Sequence, residues 1–393
     1  MRKPMLAGLL ALCCVLWTPA QDDQTRLEAF LRNFEKAETL SVKLKVLQDS
    51  MKGGSQGMGP LYLEAVEYVN SRSAELSTDA LLRQMALLAS DLAAESHHLP
   101  AAEPLWMLFE AAEDSVVQWS ILDALGVLAG GSDAVVGRIE AWLTRENTLK
   151  EAGQRTDESV IMAAVRALGN LGKESSFSVL FETNNAGYSA ETAGAAEEAL
   201  YSLEGNLKQS FMKVLEREVT ADKLAALEMI LRVGSLGEND RAELAEKALE
   251  MGLETASEAE TETARELRRL ALNALSERKW ADATPVAVDH LNTTIQEYDR
   301  GMVGKDYLLE AIYGLGSLGT HDAAKRLALY LELLNTYTEH GKPVDEQIVL
   351  AVIDNLRELG DKVAFTNLSY VDYLDYGKKV KKEAQEAIDE LKW

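Results

Sequence analysis

One short pattern returns along almost the whole chain. "SILDALGVLAGG" (120–131), "AAVRALGNLGKE" (163–174), "EMILRVGSLGEN" (228–239), "EAIYGLGSLGTH" (310–321) and "AVIDNLRELGDK" (351–362) each run as a helical stretch into Leu, then Gly or a near substitute. "AEEALYSLEGN" (196–206) and "RLALNALSERK" (269–279) are weaker copies. Taking the late leucine as anchor gives Leu47, Leu88, Leu128, Leu171, Leu203, Leu236, Leu275, Leu318, Leu359 and Leu391, spaced 32 to 43 residues apart. Three residues before each anchor the side chain is always apolar. Seven before, it is apolar or Ala in nine of ten copies, Arg268 being the exception. Positions 0, −3 and −7 share one face of an α-helix, so one helix with one buried face recurs about ten times.

Between these helices lie others with i, i+3/i+4 apolar spacing, among them "LEAFLRNFEKA" (28–38), "AVVGRIEAWLTRE" (134–146) and "AAKRLALYLELLNTY" (323–337). The unit is helix A, turn, helix B, turn. One such pair cannot bury both apolar faces alone, whereas stacked neighbours form a continuous core. Seven prolines in 393 residues and the dominance of Ala, Leu, Glu and Lys agree with an all-α chain. Stretches near 148–157, 253–262 and 278–286 read as loop insertions. The repeats before residue 110 are more degenerate.

"VRALGNLG" (165–172) and "LGDKVAF" with "VKKEAQEAIDEL" (359–391) resemble the HEAT-repeat family, an armadillo-type fold, including its bacterial subtype. The resemblance spans most of residues 22–393. It implies a right-handed α-solenoid of about ten helix pairs over 21–393, with the B helices lining a concave groove. Five residues before the anchors, Asp123, Arg166, Glu198, Tyr313 and Asp354 are then the candidate partner-binding residues. The alternative for this register is packing and salt bridges, and for Arg166 the family itself implies a structural role.

Gly314-Leu-Gly316-Ser-Leu-Gly319 is a literal G-x-G-x-x-G, the pattern of dinucleotide-binding turns. Such a turn follows a strand and opens a helix, whereas these glycines lie inside and just after a B helix. The slot of Gly316 holds Gly126, Gly169 and Gly234 in other copies, which points to close helix–helix approach. Gly319, Gly172, Gly237 and Gly360 follow their anchors, where a left-handed helix C-cap favours glycine.

Nothing in the sequence names a catalytic constellation, a cofactor or a metal. His97-His98 sits in a turn beside Glu95; His290, His321 and His340 are scattered. A metal needs three or four converging ligands, and no spacing supplies them. Tyr370, Tyr373 and Tyr376 form a stripe that reads as packing or as a ligand surface. Lys378, Lys379, Lys381 and Lys382 open the last helix. Asn292-Thr-Thr and Asn367-Leu-Ser match glycosylation acceptors.

Arg2 and Lys3, the apolar run Met5 to Trp17, and Thr18-Pro-Ala20 have the order of a signal peptide, with cleavage between Ala20 and Gln21. The run is too short to span a bilayer, and no transmembrane segment is expected in the mature chain. The alternative address is a lipoprotein anchored at Cys13 or Cys14, the only cysteines. Net charge is −24, and −26 without the leader, which disfavours nucleic acid and suits a basic partner. The expectation is a non-enzymatic scaffold of the bacterial periplasm or cell envelope, or a secreted protein, that recognises a protein or peptide along the groove. The rival is a HEAT-like enzyme, resembling bilin lyases or acting through a metal.

Overall fold

The computed structural model describes residues 19–254 and 258–392. Residues 1–18, on which the expected signal peptide with Cys13 and Cys14 falls, lie outside the described residues. The backbone of Ala20 and Gln21 falls in the first turn of the first helix. Among the described residues there are twenty α-helices and no strand; an isolated bridge pairs Asp361 with Lys392. Two compact units divide between Gly205 and Asn206.

The first unit holds five helix pairs: α1 (Pro19–Lys36) with α2 (Leu40–Met51), α3 (Gly59–Asn70) with α4 (Ala80–Glu95), α5 (Ala102–Ala111) with α6 (Ser115–Leu128), α7 (Asp133–Glu151) with α8 (Glu158–Leu171), and α9 (Phe177–Asn185) with α10 (Ala190–Tyr201). The second also holds five: α11 (Leu207–Leu215) with α12 (Thr220–Arg232), α13 (Glu238–Glu254) with α14 (Thr261–Arg278), α15 (Thr284–Asp299) with α16 (Lys305–Ser317), α17 (His321–Glu339) with α18 (Glu346–Leu359), and α19 (Phe365–Tyr370) with α20 (Lys378–Asp389). Even-numbered helices are the B helices. Within each unit every B helix packs on its B neighbours and every A helix on its A neighbours. This is the all-α solenoid arrangement, with the expected ten pairs.

The repeated face is the core. Leu125, Leu168, Leu315 and Leu356, three before their anchors, are fully buried, each contributing roughly 1.5–3 kcal/mol. Two residues in the slot seven before the anchor stand out. Leu81, seven before Leu88, is exposed rather than buried. Arg268, in the same slot of α14, is buried and pairs with Glu297 of α15 at 2.9 Å. Three of the suspected insertions are partly regular structure: Thr148–Glu151 is the last turn of α7, Ala281–Ala283 is a 3-10 turn, and α14 begins at Thr261.

Four of the ten B helices start alike. Asp79, Asp114, Asp157 and Asp345 cap α4, α6, α8 and α18 by accepting backbone N–H groups of the first turn. Neighbouring starts are tied together. Arg83 of α4 meets Asp114 at 3.1 Å, the Ser115 hydroxyl donates to Asp157, and Lys305 of α16 meets Asp345 at 3.0 Å. The two shortest spacings, Leu171 to Leu203 and Leu359 to Leu391, share one device. Gly172 and Gly360 are left-handed caps, and their carbonyls accept from the N–H of Glu204 and of Lys392.

The glycines of the B helices divide by contact. A Cβ on Gly126 would stand 2.9 Å from the backbone of Ala167, and one on Gly169 would stand 2.8 Å from Ala199 Cβ. One on Gly314 would meet Leu272, and one on Gly316 would overlap Asn355. These glycines let adjacent B helices close together, and the dinucleotide-type pattern is helix packing. Gly319 adopts φ +73°. Gly234 and Gly237 behave differently from expectation. Helix α12 ends at Arg232, so Gly234 lies beyond it in open space, and Gly237 has no positive φ.

The tyrosine stripe splits, because a 3-10 turn at Val371–Tyr373 breaks the helix. Tyr376 turns inward and donates to Asn335 Oδ1 at 3.2 Å, whereas Tyr370 and Tyr373 face solvent. Both glycosylation-type asparagines are engaged between A helices: Asn292 Oδ1 accepts from Arg326, and Asn367 Nδ2 donates to Ala328 O.

A buried polar cluster surrounds Arg268. Glu297 accepts from Arg268 and Arg265, and the Tyr307 hydroxyl donates to Arg265 O at 2.9 Å. The ring of His290 lies 6.0 Å from that of Tyr307, its Nδ1 unpartnered. Burial, helped by Arg268, pushes His290 down to about 3 from 6.5. Below pH 6.5 the unfolded chain therefore takes up a proton that the folded chain refuses. Stability from this site is complete above pH 6.5 and drains at about 1.4 kcal/mol per pH unit as pH falls toward 3. Urea unfolding at pH 7 and pH 5 should show a drop about 2 kcal/mol larger in the native protein than in His290→Leu; equal drops would refute it. Gly126→Ala should cost about 1–3 kcal/mol, because it meets backbone. Gly137→Ala, which meets nothing within 4 Å in α7, should stabilise by about 0.5–1 kcal/mol. Thermal denaturation of the pair checks the contrast.

Candidate functional site

Burial on three sides leaves α6 and α8 each a narrow exposed strip. On α8, between Val160 and Leu168, only Met162 and Arg166 escape burial. On α6 the strip is Val116, Trp119, Asp123 and Val127, one helical face whose three apolar members are 41–59 % exposed. On α10 it includes Glu191, Gly194 and Glu198. These strips lie side by side, because α6 packs on α8 and α8 on α10.

Between α8 and α10 the surface opens into a cleft of about 470 Å³, lined by Met162, Arg166 and Asn170 on one side and Glu191, Gly194 and Glu198 on the other. The cleft exists because α10 is built of small residues, with Ala190, Gly194, Ala195 and Ala199 along its wall. Ser202 also lines it, with its hydroxyl 3.1 Å from Gly169 O. Arg166 and Glu198 border one cleft, yet neither closes an ion pair among the described residues. Their charges face solvent.

Asp123 sits beside Arg166. Burial pushes its carboxyl up, Arg166 opposes, and Asp91 of α4 adds to the rise. Asp91 is itself raised by burial and accepts from the Ser120 hydroxyl at 3.3 Å. Asp123, Arg166 and Glu198 therefore form a row across three helices of the first unit. The register argument missed Asp91, Met162, Asn170, Glu191 and Trp119. Trp119 had a signal, being a large apolar residue on the helical face of Asp123.

In the second unit, Tyr313 of α16 is 49 % exposed and lies near Asp354 of α18, which helps burial raise its phenol. Asp354 is committed: it accepts from Arg357 at 2.9 Å, and Arg357 also holds Glu383 at 2.7 Å. Of the five register residues, Asp354 is thus the one held in a salt-bridge network.

Among the described residues no group of three or more His, Cys, Asp or Glu side chains is placed to hold a metal ion, and no helix is long and apolar enough to cross a membrane. His97 takes a left-handed backbone after α4, and His98 packs where a Cβ on Gly59 would stand 2.5 Å from its ring. Removing Arg166 should let the Asp123 pKa rise further, so carboxyl NMR titration of Arg166→Met should show Asp123 protonating at higher pH than in the native protein. An unchanged titration would separate the two residues.

No family model matches the chain, and no curated protein matches it. Among solved structures it is similar to an engineered protein from a structural genomics consortium, at 16 % identity over 93 % of this chain and 98 % of that one, with TM-score 0.35. It is similar to a circular tandem repeat protein with novel repeat topology and enhanced subunit contact surfaces, at 15 % identity over 94 % of each chain, with TM-score 0.23. A computationally designed self-assembling cyclic homooligomer aligns at 14 % identity over 94 % of this chain and 90 % of that one, with TM-score 0.14. At such scores no common geometry is established, and the assignment to helical repeats rests on the helix order and packing described above.

Proposed function

We propose that this chain is a HEAT-like binding protein, without enzymatic activity of its own, that holds a segment of a protein partner across the exposed strips of its B helices. The observation that carries the reading is the α6–α8–α10 surface. It joins an exposed Trp119 flanked by Val116 and Val127 to a cleft bordered by uncommitted Arg166 and Glu198. Exposed aromatic and apolar groups rimmed by charge are the composition of protein-recognition patches. Asp123, Glu191 and Glu198 outnumber Arg166 on this surface, and the whole chain is acidic, so the favoured partner segment is basic. Tyr313 in the second unit is a further contact of the same kind.

The address follows from the N-terminal pattern. Arg2, Lys3, the apolar run and Thr18-Pro-Ala20 support export to the periplasm or cell envelope, with a mature N-terminus at Gln21. Intact mass of the natural protein tests this directly, since acylation at Cys13 or Cys14 would give a different mass.

The binding reading is tested by in-cell crosslinking and capture of the tagged chain in its native host. Asp123→Lys with Glu198→Lys should abolish a dominant crosslinked partner, and Trp119→Ala should reduce it at least about tenfold. Capture that survives all three substitutions would overturn the assignment of this surface.

A further inference from the structure

A separate cavity belongs to the second unit alone. It lies between the end of α15, α17 and the loop into α18, with a volume of about 140 Å³. Three tyrosines line it: Tyr298 from α15, and Tyr330 and Tyr337 seven residues apart on α17. Ile295, Leu334 and Ile348 add apolar surface. Asp299 and Asp345 are the only charged residues of the lining, and both are acids. Asp345 is occupied with capping α18 and with Lys305. Asp299, exposed at the end of α15, closes no hydrogen bond or ion pair among the described residues. Burial raises the Tyr330 phenol, with Asp299 and Tyr298 contributing, which places that carboxylate close to the rings.

Neutral phenol rings present a negative π face, and a cation over such a face is attracted most when water is excluded. Two of the protein's own cations, neither of them a lining residue, already stand over two of these rings. Lys342 Nζ stands 4.6 Å from the Tyr337 centroid and the Arg326 guanidinium 5.8 Å from that of Tyr330. An anion in the cavity would meet two carboxylates. A metal ion would need more converging oxygen ligands than Asp299 offers. The volume is well below the roughly 300–1,000 Å³ of sites for whole drug-sized ligands, so the occupant is a head group.

We propose that this cavity binds a compact alkylammonium head group, with the faces of Tyr298, Tyr330 and Tyr337 around it and Asp299 as its counter-charge. Two sources carry that chemistry, a free quaternary ammonium compound and a lysine side chain of a bound peptide. The site is independent of the α6–α8–α10 surface, so either assignment can fail without the other.

Calorimetric titration of the full chain decides, using choline, the blocked amino acid acetyl-lysine methylamide, and dimethylbutanol, the uncharged carbon isostere of choline. At least one cation should bind saturably with one site, roughly tenfold or more tighter than the isostere. Tighter choline assigns the site to a free compound; tighter lysine assigns it to a peptide side chain. Asp299→Asn and Tyr337→Leu should each weaken the cation by about three- to tenfold with the helical melt unchanged, and Tyr337→Phe should retain binding, because the ring face remains. Asp299 is exposed, so its variant tests the site even where a tyrosine variant perturbs folding. Binding of neither cation, equal binding of the isostere, or unchanged affinity in both Asp299→Asn and Tyr337→Leu would overturn the proposal.

Discussion

An inner B helix of either unit is clasped on three sides, and that single constraint places almost everything else. Helix α8 touches α6, α10 and its own partner α7. Val160, Ile161, Ala163, Ala164, Val165, Ala167 and Leu168 are all buried by them. What remains is a strip at four-residue spacing, Met162, Arg166 and Asn170. The polar side chains of a B helix that reach solvent are confined to such a strip, because any other direction leads into a neighbour. The candidate site is therefore a by-product of how completely the repeats bury one another.

Close packing of these helices depends on what stands at the contact. Where glycine or alanine faces the next helix, as at Gly126 against Ala167 and Gly169 against Ala199, the backbones approach. The same small residues on the solvent side of α10 leave the cleft open. One residue type serves both purposes because a missing side chain yields either close approach or empty space, depending on which side of the helix it lies. Polar devices then fix the stacking. Asn147 of α7 and Asn335 of α17 are both buried, and each reaches the next A helix through its side-chain amide. The Arg268–Glu297 pair does the same from within the core. Such a pair costs desolvation, and loss of one partner would leave a buried charge worth about 3–5 kcal/mol of destabilisation.

The periodic apolar face carried most of the fold in the sequence. Position −3 is buried in nine of ten copies, and the ten pairs follow from counting anchors. Where the pattern misled, the cause was a local interaction the period cannot see. Leu81 stands in the first turn of α4, so it escapes the clasp. Gly234 follows a helix that stops early at Arg232. Tyr376 separates from Tyr370 and Tyr373 because the 3-10 turn at Val371–Tyr373 breaks the helix, and its hydroxyl then reaches Asn335. The site was half legible. Counting five back from an anchor finds Asp123, Arg166 and Glu198 on one exposed row, yet it treats Asp354 alike, although Arg357 holds that carboxylate.

By itself the sequence determined that the chain is helical, repeated and acidic, and which face of each B helix is apolar, because those properties are written in residue type and in a period near 3.6. Only the tertiary structure decided which charges remain free, where small residues leave a cleft, and that Tyr298, Tyr330, Tyr337 and Asp299 surround one cavity. Those facts depend on distances between residues tens of positions apart, and such distances are set by how neighbouring helices pack, not by the order of residues within any one of them.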